Sequence, residues 1–222
     1  MGARRGCARR GVVAFVVLVA VHGTSCGGAW DPAPARGRIA RTDLPTIVLT
    51  ADDAPAGTAY VEAVSGFQDL GTFARDAEEL GLLRRDGFVV GHLALFFPRS
   101  HAEGSQALTP RSVIVQAITG LFRTGAGARS ALERFVADLR ERQIPSATEV
   151  VTGSLGDQAY GLSGDTPDGS HVLILAWRVD NLVLAVSGSG RIAPAAVRAI
   201  VRSLEARAAA AGRSVRATLS GR

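Results

Sequence analysis

Two β-rich runs, Val172 to Val179 and Leu182 to Ser187, constrain the fold more than any other feature of this chain. Only Asp180-Asn181 separates them. Two residues make a tight hairpin but cannot carry the crossover that a parallel pair requires. A second pair lies upstream, Phe88 to Phe97 (FVVGHLALFF) and Val113 to Phe122 (VIVQAITGLF), with a polar loop around His101 to Ser105 between them. Shorter strands are expected at Ile47 to Thr50, Thr148 to Thr152 and Gln158 to Leu162. Helical spacing marks three further stretches. From Thr72 to Leu83, Phe73, Ala77 and Leu80 recur, with Thr72 as cap. From Arg129 to Arg142, Leu132, Phe135, Val136 and Leu139 form one stripe, and Arg134, Asp138 and Arg142 form a solvated ladder on the other side. From Pro194 to Ala209, Val197, Ile200, Val201 and Leu204 form the third stripe, with Pro194 in the first turn. The order is β-α-β-β-α-β-β-β-β-α. This predicts an α+β fold, a largely antiparallel sheet with three helices covering one face. The alternation of helix and paired strands also hints at a degenerate duplication.

The N-terminus is a different kind of segment. Arg4, Arg5, Arg9 and Arg10 precede an uninterrupted apolar run, Val12 to Val21, and small residues follow at Gly23 to Gly28. A positive flank, a short greasy core and small residues form the layout of a secretory signal peptide. The core is ten residues, against the roughly 20 needed to span a bilayer. Thr24-Ser25-Cys26 resembles the lipobox of bacterial lipoproteins, although Gly23 stands where that pattern prefers a large aliphatic. The resemblance implies that Cys26 carries acyl chains and becomes the mature N-terminus; ordinary cleavage after Gly23, releasing a soluble secreted protein, is the alternative. Arg9-Arg10 loosely resembles a twin-arginine signal, so the export route stays open. From Gly27 to Pro45 the chain is Gly, Ala, Pro and Arg with few apolar anchors, the composition of an extended spacer. The division is therefore signal peptide 1–25, spacer 26–45, one folded domain 46–206, and a disordered Arg-containing tail 207–222. Only Cys7 and Cys26 are cysteines, so the domain holds no internal disulfide and depends on packing.

Charge excludes nucleic acid as a partner. All 25 basic residues are arginine, for a formal net charge of +5. Between Asp43 and Glu205, however, 14 arginines face 19 acids, a net −5. The positive excess sits in the ends of the chain, whereas a nucleic-acid binder carries it on the folded surface.

Three motifs, Asp86-Gly87-Phe88-Val89-Val90-Gly91-His92, Leu155-Gly156-Asp157-Gln158-Ala159-Tyr160 and Trp177-Arg178-Val179-Asp180-Asn181-Leu182-Val183, resemble a broad group of uncharacterised envelope lipoproteins of high-GC bacteria. The resemblance covers most of residues 44 to 205. It implies an envelope location and carries over no activity, because its motifs are turns and core strands.

No constellation specifies a reaction. His92, His101 and His171 lack the spacing of a metal or acid–base site and read as structural or solvated. Ser163 (Gly161-Leu162-Ser163-Gly164-Asp165) and Ser189 (Gly188-Ser189-Gly190) each depart from the hydrolase elbow and read as glycine-rich loops. Gly125-Ala126-Gly127-Ala128-Arg129-Ser130, with Glu149 downstream, lacks the third glycine of a dinucleotide fingerprint and reads as a flexible lead into a helix. Asp52-Asp53 and Asp165-Thr166-Pro167-Asp168-Gly169 read as turns rather than calcium ligands. No cofactor or metal is expected. The preferred reading is a membrane-anchored, non-enzymatic binding module with a protein or small apolar ligand as partner. In a carrier, Trp177, Phe96 and Phe122 would line the ligand pocket. A secreted hydrolase would require Ser163 or Ser189 to meet His92 or His171 and an aspartate.

Overall fold

A computed structural model describes residues 38–220 apart from 105 and 193, with side chains described as far as 212. The signal peptide, Cys26 and most of the spacer lie outside the described residues. The strands are β1 (Thr58–Tyr60), β2 (Gly66–Gln68), β3 (Phe88–Pro98), β4 (Ile114–Phe122), β5 (Thr148–Glu149), β6 (Gln158–Asp165), β7 (His171–Val179) and β8 (Leu182–Ser189). The helices are α1 (Leu44–Ile47), α2 (Leu70–Phe73), α3 (Ala77–Arg85), α4 (Arg99–Ala102), α5 (Gly125–Asp138) and α6 (Pro194–Ser220).

The expected hairpin is present: β7 and β8 pair antiparallel with Val179 opposite Leu182. Asp180 turns the corner at φ 52°, a left-handed conformation that aspartate tolerates better than most residues. Every ladder is antiparallel, and the strands form one open sheet in the order β1-β3-β4-β8-β7-β6-β5. β2 also pairs with β3, alongside β1, on its outer edge. The fold is α+β, an eight-stranded antiparallel sheet with helices packed on it.

Alternation along the strands divides the core in two. One set (Phe96, Ala117, Leu175, Trp177, Leu184 and Val186) packs under Val197, Val201, Leu204 and Ala208 of α6. The other (Ile174, Ala176 and Ala185) packs under Leu132, Val136 and Leu139, the stripe of α5 and the π-helical turn that follows it. Helices therefore cover both faces, not one. Pairing β4 with β8 joins hairpin β3–β4 to hairpin β7–β8, and each hairpin is followed by a helix. A two-fold relating β4 to β8 would place α5 and α6 on the same face, so the duplication hinted at in the sequence does not extend to the layering.

Several boundaries move for local reasons. In the stretch expected to be a strand at Ile47 to Thr50, Ile47 instead closes α1, which has Pro45 in its first turn, and Val48 to Thr50 follow it. Leu44, Ile47 and Leu49 are buried beneath α6. The helix expected from Thr72 to Leu83 is two helices, because Asp69 and Asp76 each cap a start; Asp69 accepts the Thr72 N–H at 2.8 Å and Asp76 that of Glu79 at 2.8 Å. Thr72 is thus capped rather than capping. The three-residue strands β1 and β2 carry no run long enough to mark them. Gly125 to Gly127 is the first turn of α5, capped by Thr124, whose Oγ1 accepts the Gly127 N–H at 2.9 Å.

The domain is also longer at both ends than the sequence suggested. Ile39, assigned to the spacer, is buried. Its N–H donates to Asn181 Oδ1 at 3.0 Å and its carbonyl accepts from Asn181 Nδ2 at 3.1 Å. Asn181 Nδ2 also donates to the Phe122 carbonyl at 2.7 Å. At the other end α6 runs past Ala206. Arg207 donates to the Val48 carbonyl at 3.1 Å and pairs with Asp53, and Ala208 is fully buried.

Candidate functional site

The face covered by α5 is incompletely filled. Phe73 of α2 plugs one place in the sheet where Gly91 has no side chain; a Cβ there would collide with the ring. Phe73 packs at a tilt against Phe88, and Phe88 meets Phe122 edge to face, with ring centroids 4.7 and 5.7 Å apart. Close to this aromatic cluster α3 and α5 touch. A Cβ on Gly127 would strike the Asp86 carbonyl, and the Asp86 carboxylate pairs with Arg134 of α5. At the other end Arg75, between α2 and α3, reaches across to Asp138 at 2.7 Å while also holding Glu79 at 2.9 Å. Between these two closures lies a cleft of about 290 Å³ whose apolar surface includes Leu82, Ile118, Phe135, Val183 and Ala185. Beyond Arg75 is a second cavity of about 100 Å³, reaching Leu93, Gln116, Leu139 and Ile174. Phe73, Arg75, Glu79, Ile118, Phe135 and Ala185 line both, so Arg75 stands as a strap where the two cavities meet.

The strap is charged at neutral pH. Burial works against the Asp138 carboxylate, but Arg75, Gln143 and Arg142 outweigh it and hold its pKa below the ordinary value. Burial likewise opposes the Arg75 charge, and Glu79 and Asp138 more than compensate, raising its pKa. Of the arginine–aspartate ladder expected on α5, only Asp138 to Arg142 survives, at 3.3 Å. Arg134 and Asp138 are otherwise engaged with Asp86 and Arg75.

A second group lies on the opposite face. Ser163 and Asp165 alternate along β6 onto one side, and His171 at the start of β7 stands directly opposite Asp165. Ser163 Oγ lies 3.0 Å from His171 Nε2, and Asp165 Oδ1 lies 2.8 Å from His171 Nδ1. Ser163 and His171 of this trio line a cavity of about 140 Å³, together with Val150, Leu173, Ile192, Pro194 and Arg198.

The remaining residues singled out in the sequence are dispersed. Trp177 and Phe96 are fully buried in the core beneath α6. Phe122, of opposite parity, belongs to the cluster with α3 and α5. The three do not line a common pocket; Phe122 alone among them reaches the cleft. His92 is buried beside Phe67, and burial pushes its pKa down to about 4. β4 and β8 lie between its strand and that of His171, so the two histidines do not converge. His101 Nδ1 sits 2.8 Å from the Gln106 carbonyl. Ser189 faces a small recess with Gln116 and Thr166 rather than a histidine. Glu149 pairs with Arg140 at 2.5 Å. Asp53 binds Arg207, and Asp168 accepts from Thr166 and Ser170, so both acidic stretches serve turns and contacts. Among the described residues no group of three His, Cys, Asp or Glu side chains could hold a metal, and no helix is long and apolar enough to cross a membrane.

The three sequence motifs meet at one corner of the sheet. Arg123 donates its N–H to the Gly87 carbonyl at 2.8 Å, and Phe122 donates to Asn181 at 2.9 Å. Asp157 Oδ2 accepts the Asp180 N–H at 2.7 Å and pairs with the buried Arg178 at 2.9 Å. Their role in the fold is to lock turns together.

No protein-family profile matches the sequence, and no curated protein matches it. Among solved structures the chain is similar to the extracellular domain of PknH from Mycobacterium tuberculosis, with 8% identity and a TM-score of 0.43 over 75% of this chain and 94% of that one. A likeness of that degree says nothing about activity.

Proposed function

We propose that the protein is an exported binding module, tethered to the outer face of the membrane through acylated Cys26, whose α3–α5 cleft receives a small apolar or lipidic ligand. The observation that carries this reading is the cleft itself, where Ile118, Phe135 and Val183 are left partly exposed beneath a charged rim. Apolar walls with a few placed polar groups are the usual construction of a small-molecule site. A volume of about 290 Å³ is at the small end of the roughly 300–1,000 Å³ range. That size favours one chain or ring over a two-chain lipid. The rim of Arg75, Glu79, Asp138 and Arg142 gives a polar end of such a molecule partners at the mouth. The sequence pattern of the first 26 residues supports export and tethering.

The test is titration of the full-length protein with anilinonaphthalene sulfonate, followed by displacement with decanoate. Val183→Trp fills the floor, and Ala137→Trp crowds the exposed rim with little risk to folding. Both are expected to weaken binding at least tenfold, while Ser163→Ala on the opposite face leaves it unchanged. Equal binding by wild type and both tryptophan variants would remove the cleft as the site. In parallel, Cys26→Ala is expected to shift the protein from the membrane fraction to the soluble one.

A further inference from the structure

We infer that Ser163, His171 and Asp165 form a nucleophilic site able to cleave small carboxylic esters, separate from the cleft and on the other side of the sheet. The geometry follows from strand alternation. Ser163 and Asp165, two apart on β6, share a face, and antiparallel pairing places His171 across from Asp165. The connecting turn is closed tightly, with Thr166 and Ser170 bonded through their backbones at 2.9 Å and Gly169 at φ 82°. Ser163 is further held by Thr148, whose Oγ1 donates to the Ser163 carbonyl at 3.1 Å. The three side chains are thus presented by a braced hairpin, not a loose loop.

The hydrogen bonds also set the proton positions. The Asp165 carboxylate can only accept, so His171 Nδ1 carries the hydrogen at 2.8 Å. In the neutral ring Nε2 then has its lone pair toward the Ser163 hydroxyl at 3.0 Å. This is the division of roles that activates a serine: nucleophile, base, and a third group that fixes the base's tautomer. The adjoining cavity of about 140 Å³ can seat a short acyl group against Val150, Leu173 and Ile192. Pro194, the first residue of α6, and Arg198, whose Nη1 donates to the Val151 carbonyl at 3.0 Å, line the same cavity. The Arg198 guanidinium favours negative charge, here that of a developing oxyanion.

In the reaction Ser163 Oγ bonds to the ester carbonyl carbon as its proton passes to His171 Nε2. Asp165 steadies the imidazolium. Collapse of the intermediate breaks the bond to the alcohol oxygen, which takes the proton from Nε2. Water then adds to the acyl-serine, giving its proton to Nε2, and release of the carboxylic acid returns that proton to Ser163. Side chains of His171 and Asp165 are 63% and 68% exposed, so water competes for the charges that form. Activated esters of short acids are therefore the expected substrates, not amides.

The experiment treats full-length protein with a fluorophosphonate probe and with p-nitrophenyl acetate, following adducts by intact mass and peptide mapping. The expected result is a single adduct on Ser163, lost in Ser163→Ala and at least tenfold slower in His171→Ala, with Ser189→Ala unaffected. Asp165→Asn presents an amide to Nδ1 and is expected to lower the acylation rate while leaving KM unchanged, which mere loss of structure would not do. Absence of an adduct on Ser163, or ester cleavage persisting in Ser163→Ala, would overturn the proposal. All of these substitutions lie away from the cleft, so binding there is read separately by the sulfonate probe.

Discussion

Asn181 shows how much one side chain can organise. Its amide satisfies both polar groups of Ile39 and the carbonyl of Phe122, all in a buried setting. Replacing it with alanine leaves those backbone groups unpaired, and each costs about 1–3 kcal/mol when stranded. Asn181→Ala is expected to destabilise the protein by about 3 kcal/mol, read from the midpoint of urea unfolding. His92 provides a second test at this scale. Burial holds its pKa near 4, from an ordinary 6.5, so the unfolded chain binds the extra proton between those values. Stability is then complete above about pH 6.5 and falls as the pH drops toward 4, by a few kcal/mol at most. His92→Leu should flatten that slope in unfolding curves taken across the window. Asp138 acts lower on the scale. Its depressed pKa means its contribution is intact above the ordinary 3.8 and fades only below it.

At the level of elements, what was legible depended on length and on where polar partners lie. β3, β4, β7 and β8 declare themselves because each carries eight or more residues of apolar or alternating pattern. α5 and α6 declare themselves through stripes at helical spacing. β1 and β2 have three residues each and exist because the edge of β3 pairs with them, a contact no local pattern encodes. The split between α2 and α3 was present in the sequence as two capping aspartates, Asp69 and Asp76, masked by the continuous apolar spacing across them. The cleft was hidden for a different reason. Phe73, Ile118, Phe135 and Val183 look like core residues, and only the lateral separation of α3 from α5 leaves them partly uncovered. The Ser163–His171–Asp165 trio was legible only in part: Ser163 and His171 stood among the candidates, but register, not spacing, selects them and brings His171 to Asp165. Arg75 ties the two helices together across the cleft. Arg75→Ala should cost no more than about 1 kcal/mol, as for other partly exposed ion pairs. It should also join the two cavities and speed sulfonate-probe association in stopped-flow measurements; an unchanged rate would mean that Arg75 does not gate the passage.

For the whole molecule, the sheet separates two chemistries. One face carries an apolar cleft beneath charged side chains, and the other a hydrogen-bonded serine near the start of α6. Ile39 is pinned through Asn181 at the corner where β4 ends and β8 begins. In the proposed arrangement Cys26 lies about a dozen residues upstream of that corner. The measurement that bears most directly on the binding proposal is hydrogen exchange of the full-length protein with and without decanoate. The cleft reading predicts slower exchange in α2, α3, α5 and the middle of β4, with α6 and the β6–β7 hairpin unchanged. Protection confined to α6, or none at saturating decanoate, would contradict it.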